Sequence, residues 1–177
     1  MLDKTGFDPR WNSKIRRADE RVKGVIEVEI ESDDWAAALA DVEAIVTLAA
    51  EAAQGDVEGD LVVLLTDNAA VQDLNLRFRS KDRPTNVLSF PGGDMPMPGQ
   101  APHLGDIVLA FGVCRDEAEA QAKTLANHLT HLVIHGVLHL LGHDHEDEAE
   151  AEAMEAQERS LLASLGVADP YILPDDL

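Results

Sequence analysis

The sequence predicts one α+β domain, a small mixed sheet of about four strands packed with about five helices. Three observations predict it. Four short apolar or alternating runs are bounded by turn-forming residues, as strands are. Longer segments of helical character lie between and after these runs without strict alternation. No glycine-rich phosphate loop follows the first run, which argues against a doubly wound sheet. The 177 residues, 45% of them hydrophobic, suffice for one core. With only four Phe, two Trp and one Tyr, that core must be largely aliphatic.

The elements follow in order. Residues 1–23 are polar, with Gly6, Pro9 and no clear period, and are expected to form a mobile basic arm ahead of a single domain over 24–177. Val25 to Ile30 alternates apolar and acidic positions, a half-exposed strand. Trp35 to about Ala53 is alanine-rich and reads as one helix ending near Gly55. Leu61 to Thr66 is a buried strand. Asp67 and Asn68 are good caps for a helix carrying Val71, Leu74, Leu76 and Phe78, a pattern that Pro84 breaks. Val87 to Phe90 is a third strand, Pro91 to Pro102 a Pro/Gly-rich loop, and Asp106 to Phe111 a fourth strand. Helical sequence runs from about Arg115 to Leu141 with a break near Thr124, and a last helix covers roughly Asp147 to Leu165.

The formal charge of −20 speaks against a nucleic-acid partner only until its distribution is considered. Seven of the fourteen Lys and Arg lie in residues 1–23, four more alternate at Arg77, Arg79, Lys81 and Arg83, and residues 24–76 hold none. An acidic body with two basic spots can still grip a phosphate locally. A single cysteine, Cys114, excludes an internal disulfide and agrees with a reducing compartment. No apolar stretch approaches the roughly 18 residues of a membrane span, and residues 1–23 lack the hydrophobic middle of a secretory signal. A soluble, cytoplasmic protein with no membrane partner is expected.

The chemistry concentrates in one run. His135 and His139, four residues apart on a helix, share a face one turn from each other. Gly142 permits the left-handed turn that commonly ends a helix, so the chain can bring His145 back toward the pair. Three neutral imidazoles leave a tetrahedral ion one open position, the arrangement of a catalytic zinc at the end of a buried helix. At 100° per residue, His128, His131, His135 and His139 fall within roughly an 80° arc, while the other faces are aliphatic. One such histidine would be an ordinary core residue; four on a stripe followed by His145 favour metal. The spacing also matches metzincin proteases, which need Glu directly after the first His as general base. Here that position is Gly136, which cannot take a proton.

Two blocks resemble the YbeY-type endoribonucleases that mature ribosomal RNA. One is His131 to His145, H-L-V-I-H-G-V-L-H-L-L-G-H-D-H; the other is Leu74 to Pro91, L-N-L-R-F-R-S-K-D-R-P-T-N-V-L-S-F-P. Leu104 to Val108, Leu165-Gly166 and Asp169-Pro170-Tyr171 extend the likeness over about residues 25–171. The resemblance implies an α+β metalloprotein holding one Zn2+ per chain on His135, His139 and His145, although another divalent transition metal suits the same donors. It implies Arg79 as the key basic residue of the active site. It also implies cleavage of single-stranded RNA, in maturation of the small-subunit ribosomal RNA 3′ end and in ribosome quality control. The partners would be single-stranded ribosomal RNA and the ribosome or its proteins, with no DNA. Two departures stand out. Position 143 is His where the family often has Tyr, and residues 1–23 precede the family's usual start.

Arg79 would clamp a phosphate oxygen with its planar fork. Lys81 is a further substrate-binding candidate, while Arg77 and Arg83 read as solvated cations. His131, one turn before His135, is either an outer partner of the metal site or a core histidine. Asp144 is either an orienter of a ligand imidazole or a cap. His128 and Cys114 read as structural. Thr85, Asn86 and Ser89 turn the chain around Pro84, and Asn86 and Ser89 are also cleft candidates. The acidic run Asp144 to Glu158, eight carboxylates, reads as a solvated helix face. No general base is evident, and an activated water and the RNA's own 2′-hydroxyl both stay open as nucleophile. Two other functions compete: a zinc hydrolase of another substrate such as a peptide, and a ribosome-docking protein whose metal is structural.

Overall fold

Alternation of apolar and acidic residues builds the first strand, β1 (Ile26–Ile30), whose neighbour β2 (Asp60–Thr66) is the apolar run seen in the sequence. The computed structural model describes residues 24–93, 99–143 and 147–172; the basic arm expected over 1–23 lies outside them. The remaining strands are β3 (Val87–Pro91) and β4 (His103–Ala110), and the sheet order is β1-β2-β4-β3. β1, β2 and β4 run parallel and β3 is antiparallel to β4. The mixed sheet and α+β class are as the sequence predicts.

Among the described residues six helices surround it: α1 (Asp33–Ala38), α2 (Val42–Gln54), α3 (Asn68–Arg79), α4 (Phe111–Ala120), α5 (Leu125–Leu140) and α6 (Glu148–Ser164). The sixth arises because the alanine-rich stretch is two helices. Leu39 ends α1 in extended conformation, φ −134° and ψ 102°, and Asp41 opens α2. The two helices serve different anchors. Trp35 on α1 is buried at the end of β2, its indole N–H donating to the Thr66 carbonyl at 3.0 Å and its ring edge-on to Phe111. Val42, Val46, Ala49, Ala50 and Ala53 on α2 cover the sheet. Alanine propensity supports both helices and does not reveal the corner between them. A smaller difference is that Phe111 begins α4 rather than ending β4, and that β4 starts at His103.

The period of two sorts the strands. One face carries Ile26, Val28, Leu61, Val63, Leu65, Ile107 and Leu109, packed beneath α2 and α5 in an almost wholly aliphatic core. The opposite face presents Val108, Leu88 and Ala110 to Val71 and Leu74 of α3. Leu76 and Phe78, which helped predict α3, are 46% and 62% exposed. Asp67 caps that helix by accepting from the Ala70 N–H at 2.8 Å, as its position suggests.

Helix α5 lies against the first face with Leu129, Val133, Ile134, Val137 and Leu138 fully buried. Thr124 caps its start, accepting from the Asn127 N–H at 3.1 Å. At its end Gly142 takes φ +89°; its N–H donates to the His139 carbonyl and that of His143 to the Leu138 carbonyl, both at 3.0 Å. This is the paired closure that a left-handed residue makes possible. Gly136 serves another purpose. A Cβ there would lie 3.0 and 3.1 Å from Ile107 and 3.2 Å from the Ser89 hydroxyl, so its bareness lets α5 settle onto β4 and β3. A metzincin glutamate in this position would crowd Ile107 and Ser89.

Candidate metal centre

Helix α5 fixes where its histidines stand, and the i, i+4 spacing does the rest. His135 and His139 are each half-buried, with ring centroids 4.5 Å apart and their Nε2 atoms facing each other at 3.0 Å. His131 continues the row one turn earlier, 6.4 Å from His135 between centroids, and His128 another turn back, at 6.5 Å from His131. The stripe read from the sequence therefore exists as a line of imidazoles.

A buried carboxylate stands behind that line. Glu158 of α6 is 1% exposed. Its Oε1 lies 2.7 Å from His135 Nδ1 and its Oε2 lies 2.9 Å from His131 Nε2; the Tyr171 hydroxyl donates to Oε2 as well. Burial alone would raise the Glu158 pKa, but the bonds from His131, His135 and Tyr171 outweigh it and hold the carboxyl well below its ordinary range. Burial, together with the same contact, pushes the Tyr171 hydroxyl upward. Glu158 thus overturns the reading of Asp144 to Glu158 as wholly solvated. The signal was present: Met154, Glu158 and Leu162, at i, i+4 and i+8, are the residues that α6 buries.

Because Glu158 accepts from Nδ1 of His135, the neutral ring carries its lone pair on Nε2, toward His139. Two nitrogens bound to one tetrahedral zinc sit about 3.3 Å apart by ordinary bond lengths. The observed 3.0 Å is close to that spacing, so this pair suits an ion held at the tips of both rings. His145 and Asp144 lie outside the described residues. Among the described residues no group of three His, Cys, Asp or Glu side chains forms a ligand set.

The pair opens onto a cleft of about 560 Å³ lined by Arg79, Thr85, Asn86, Ser89, His135, His139 and His143, among others. Arg79 enters from the last turn of α3. That turn closes at Ser80, φ +57°, and buried Asn75 steadies the chain beyond by donating to the Arg83 carbonyl at 2.7 Å. Asn86 and Ser89 line the cleft as well as shaping the turn, and Ser89 donates to the Gly136 carbonyl at 3.3 Å. Lys81 and Arg83 are not among the lining residues. Arg77 pairs with Asp73 at 3.3 Å on the surface, the solvated role expected of it.

His128 is structural. Its Nε2 meets Glu117 Oε2 at 2.8 Å, and it is 4% exposed. Burial lowers its pKa, with the Glu117 bond opposing. The unfolded chain therefore takes up this proton first as pH falls below about 6.5. The contribution to stability is complete above that pH and declines beneath it. Urea midpoints at pH 7.5 and 5.5 are expected to fall further for the wild type than for His128→Gln; equal falls would assign the loss elsewhere. Cys114 is fully buried, and burial pushes its thiol well above the ordinary range, which suits the inert role expected of it.

No helix among the described residues is long and apolar enough to cross a membrane. Comparison with known proteins agrees with the motifs. The profile described as endoribonuclease YbeY matches residues 26–166. A protein named endoribonuclease YbeY from Chelativorans sp. is 53% identical over 131 residues, 73% of this chain and 80% of its own length. The protein of the same name from Azorhizobium caulinodans is 48% identical over 155 residues, 84% of this chain and 97% of its own. One from Rhodopseudomonas palustris is 45% identical over 175 residues, covering 96% and 91%. A chain matched along nearly its whole described length, at such identities, belongs to the endoribonuclease YbeY family.

Proposed function

We propose that this endoribonuclease is zinc-dependent, cuts single-stranded RNA, and acts in the cytoplasm on ribosomal RNA, in small-subunit 3′ end maturation and ribosome quality control. One observation carries the metal dependence: the tips of His135 and His139 face each other at 3.0 Å in a cleft that Arg79 also lines. The burial of Glu158 supports it further. A buried carboxylate is costly without compensating charge, and among the described residues its donors are two imidazoles and a phenol. A cation beyond His135 supplies that charge through the ring.

In this reading His135, His139 and His145 hold one zinc, or another divalent transition metal. Bound there, the ion contributes Lewis acidity toward a phosphoryl oxygen and lowers the pKa of water. The residues of the chain do the rest. Arg79 donates to a non-bridging phosphate oxygen and stabilises the charge that grows during cleavage. Lys81, exposed on the approach from α3, adds positive potential for the strand. Asn86 and Ser89 offer polar groups to the sugar and phosphate on the cleft wall. His131 acts from behind through Glu158, and Asp144 is assigned to orienting a ligand ring. Ribosomal RNA and ribosomal proteins are the proposed partners, with no role for DNA or a membrane. Peptide hydrolysis fits less well, because position 136 is glycine, which cannot serve as the general base that reaction uses, and a glutamate there would crowd Ile107 and Ser89.

Chelation tests the proposal. Dialysis against a zinc chelator is expected to abolish cleavage of a single-stranded ribosomal RNA fragment, and stoichiometric zinc to restore it, while a duplex of the same sequence stays intact throughout. Cleavage that persists without metal contradicts the proposal, as does equal cutting of duplex.

A further inference from the structure

The chain after α6 is tied to the helices by several side-chain contacts. Arg159 Nε lies 3.3 Å from Asp169 Oδ2, and its guanidinium stacks 4.8 Å from the Tyr171 ring centroid. Lys123, in the turn before α5, donates to the Pro170 carbonyl at 2.6 Å. Tyr171 N–H donates to Asp169 Oδ1 at 2.9 Å. Two cations, Arg159 of α6 and Lys123 from the turn before α5, thus hold Asp169-Pro170-Tyr171 against the histidine row. The effect is to deliver one hydroxyl onto Glu158.

We infer that Glu158 and Tyr171 are positioning residues of the metal centre, and that the Asp169–Tyr171 strap is part of its architecture. The inference rests on the proposed metal reading, and the geometry gives each group a task. A carboxylate alone could rotate between His131 and His135. With Tyr171 and His131 both on Oε2, Oε1 is left to His135. That bond fixes the Nδ1–H tautomer and the ring angle, so that Nε2 faces His139. It also makes the ring a stronger donor toward a cation, as carboxylates behind ligand imidazoles do. Tyr171 acts one step further out by holding the carboxylate. Neither residue touches substrate.

Full-length wild type, Glu158→Gln and Tyr171→Phe are to be compared in two ways. Zn2+ affinity is measured by competition with a chromophoric chelator at pH 7.5. The tautomer of His135 is read by 15N NMR on the metal-free proteins. Glu158→Gln keeps the size but loses the charge and one accepting oxygen; Tyr171→Phe loses only the hydroxyl. Outer partners of this kind are worth about 10–100-fold in affinity. Glu158→Gln is expected to weaken zinc by that factor and to lose the single Nδ1–H state of His135. Tyr171→Phe is expected to weaken zinc by about threefold to tenfold and to mix the tautomers, with a wild-type unfolding midpoint. Wild-type zinc affinity in both variants, or an unchanged Nδ1–H tautomer in both, overturns the inference while leaving the metal reading standing. Failure of the wild type itself to bind zinc overturns both.

Discussion

His139→Ala is expected to remove metal and cleavage together. The substitution deletes one of two imidazoles whose Nε2 atoms face each other at 3.0 Å, leaving His135 without its opposite. The loss of zinc affinity should exceed the 10–100-fold attached to outer partners, because the proposed reading makes His139 a ligand itself. Cleavage of single-stranded RNA should fall below about 1% of wild type if, as proposed, Lewis acidity and water activation come from the ion. The fold should survive: His139 is half-exposed at the end of α5, and the buried contacts of that helix come from its aliphatic faces. Metal content by mass spectrometry and cleavage on one preparation check this. Cleavage unchanged in the variant would point to a contaminating nuclease.

Arg79→Ala is expected to give the complementary result, full metal content with cleavage lost. Arg79 lines the cleft but belongs to α3 and contributes nothing to the histidine row. Removing one aimed donor from a site of charge development typically costs about 10²–10³ in rate, about 3–4 kcal/mol. Arg79→Lys should recover only part, because an ammonium keeps the charge without the planar fork. Stopped assays on an RNA oligonucleotide, with zinc measured in parallel, separate this variant from His139→Ala. A variant that loses metal as well would place Arg79 in the structure of the centre rather than in the chemistry.

The features legible in the sequence were those set by local geometry. Four residues along a helix place two rings together whatever the rest of the chain does, so the His135–His139 pair could be read directly. The cap at Asp67 was legible because a side chain bonds its own helix, and the break near Thr124 and the start near Asp147 prove to be caps of the same kind. The features missed depend on how elements dock. Glu158 is one acid among eight in its run, and its place between Met154 and Leu162 on one face of α6 is a weak local signal beside the packing of α6 against α5 that buries it. The corner between α1 and α2 reflects where Trp35 and Val42 must each be buried, which alanine content does not encode. Gly136 could be read as the absence of a base, but not as the close approach of α5 to Ile107 and Ser89 that explains it. Phe78, chosen as a helix marker by its apolarity, sits edge-on to Phe90 at 5.2 Å and stays largely exposed.

The account turns on imidazole ligation by this chain, and X-ray absorption at the zinc edge of purified wild-type protein tests that most directly. The predicted result is one zinc per chain with a first shell of three imidazole nitrogens and one further light atom, reduced to two imidazoles or lost altogether in His145→Ala. A sulfur in that shell, a fully imidazole-free shell of oxygens, or a shell unchanged in His145→Ala would contradict it.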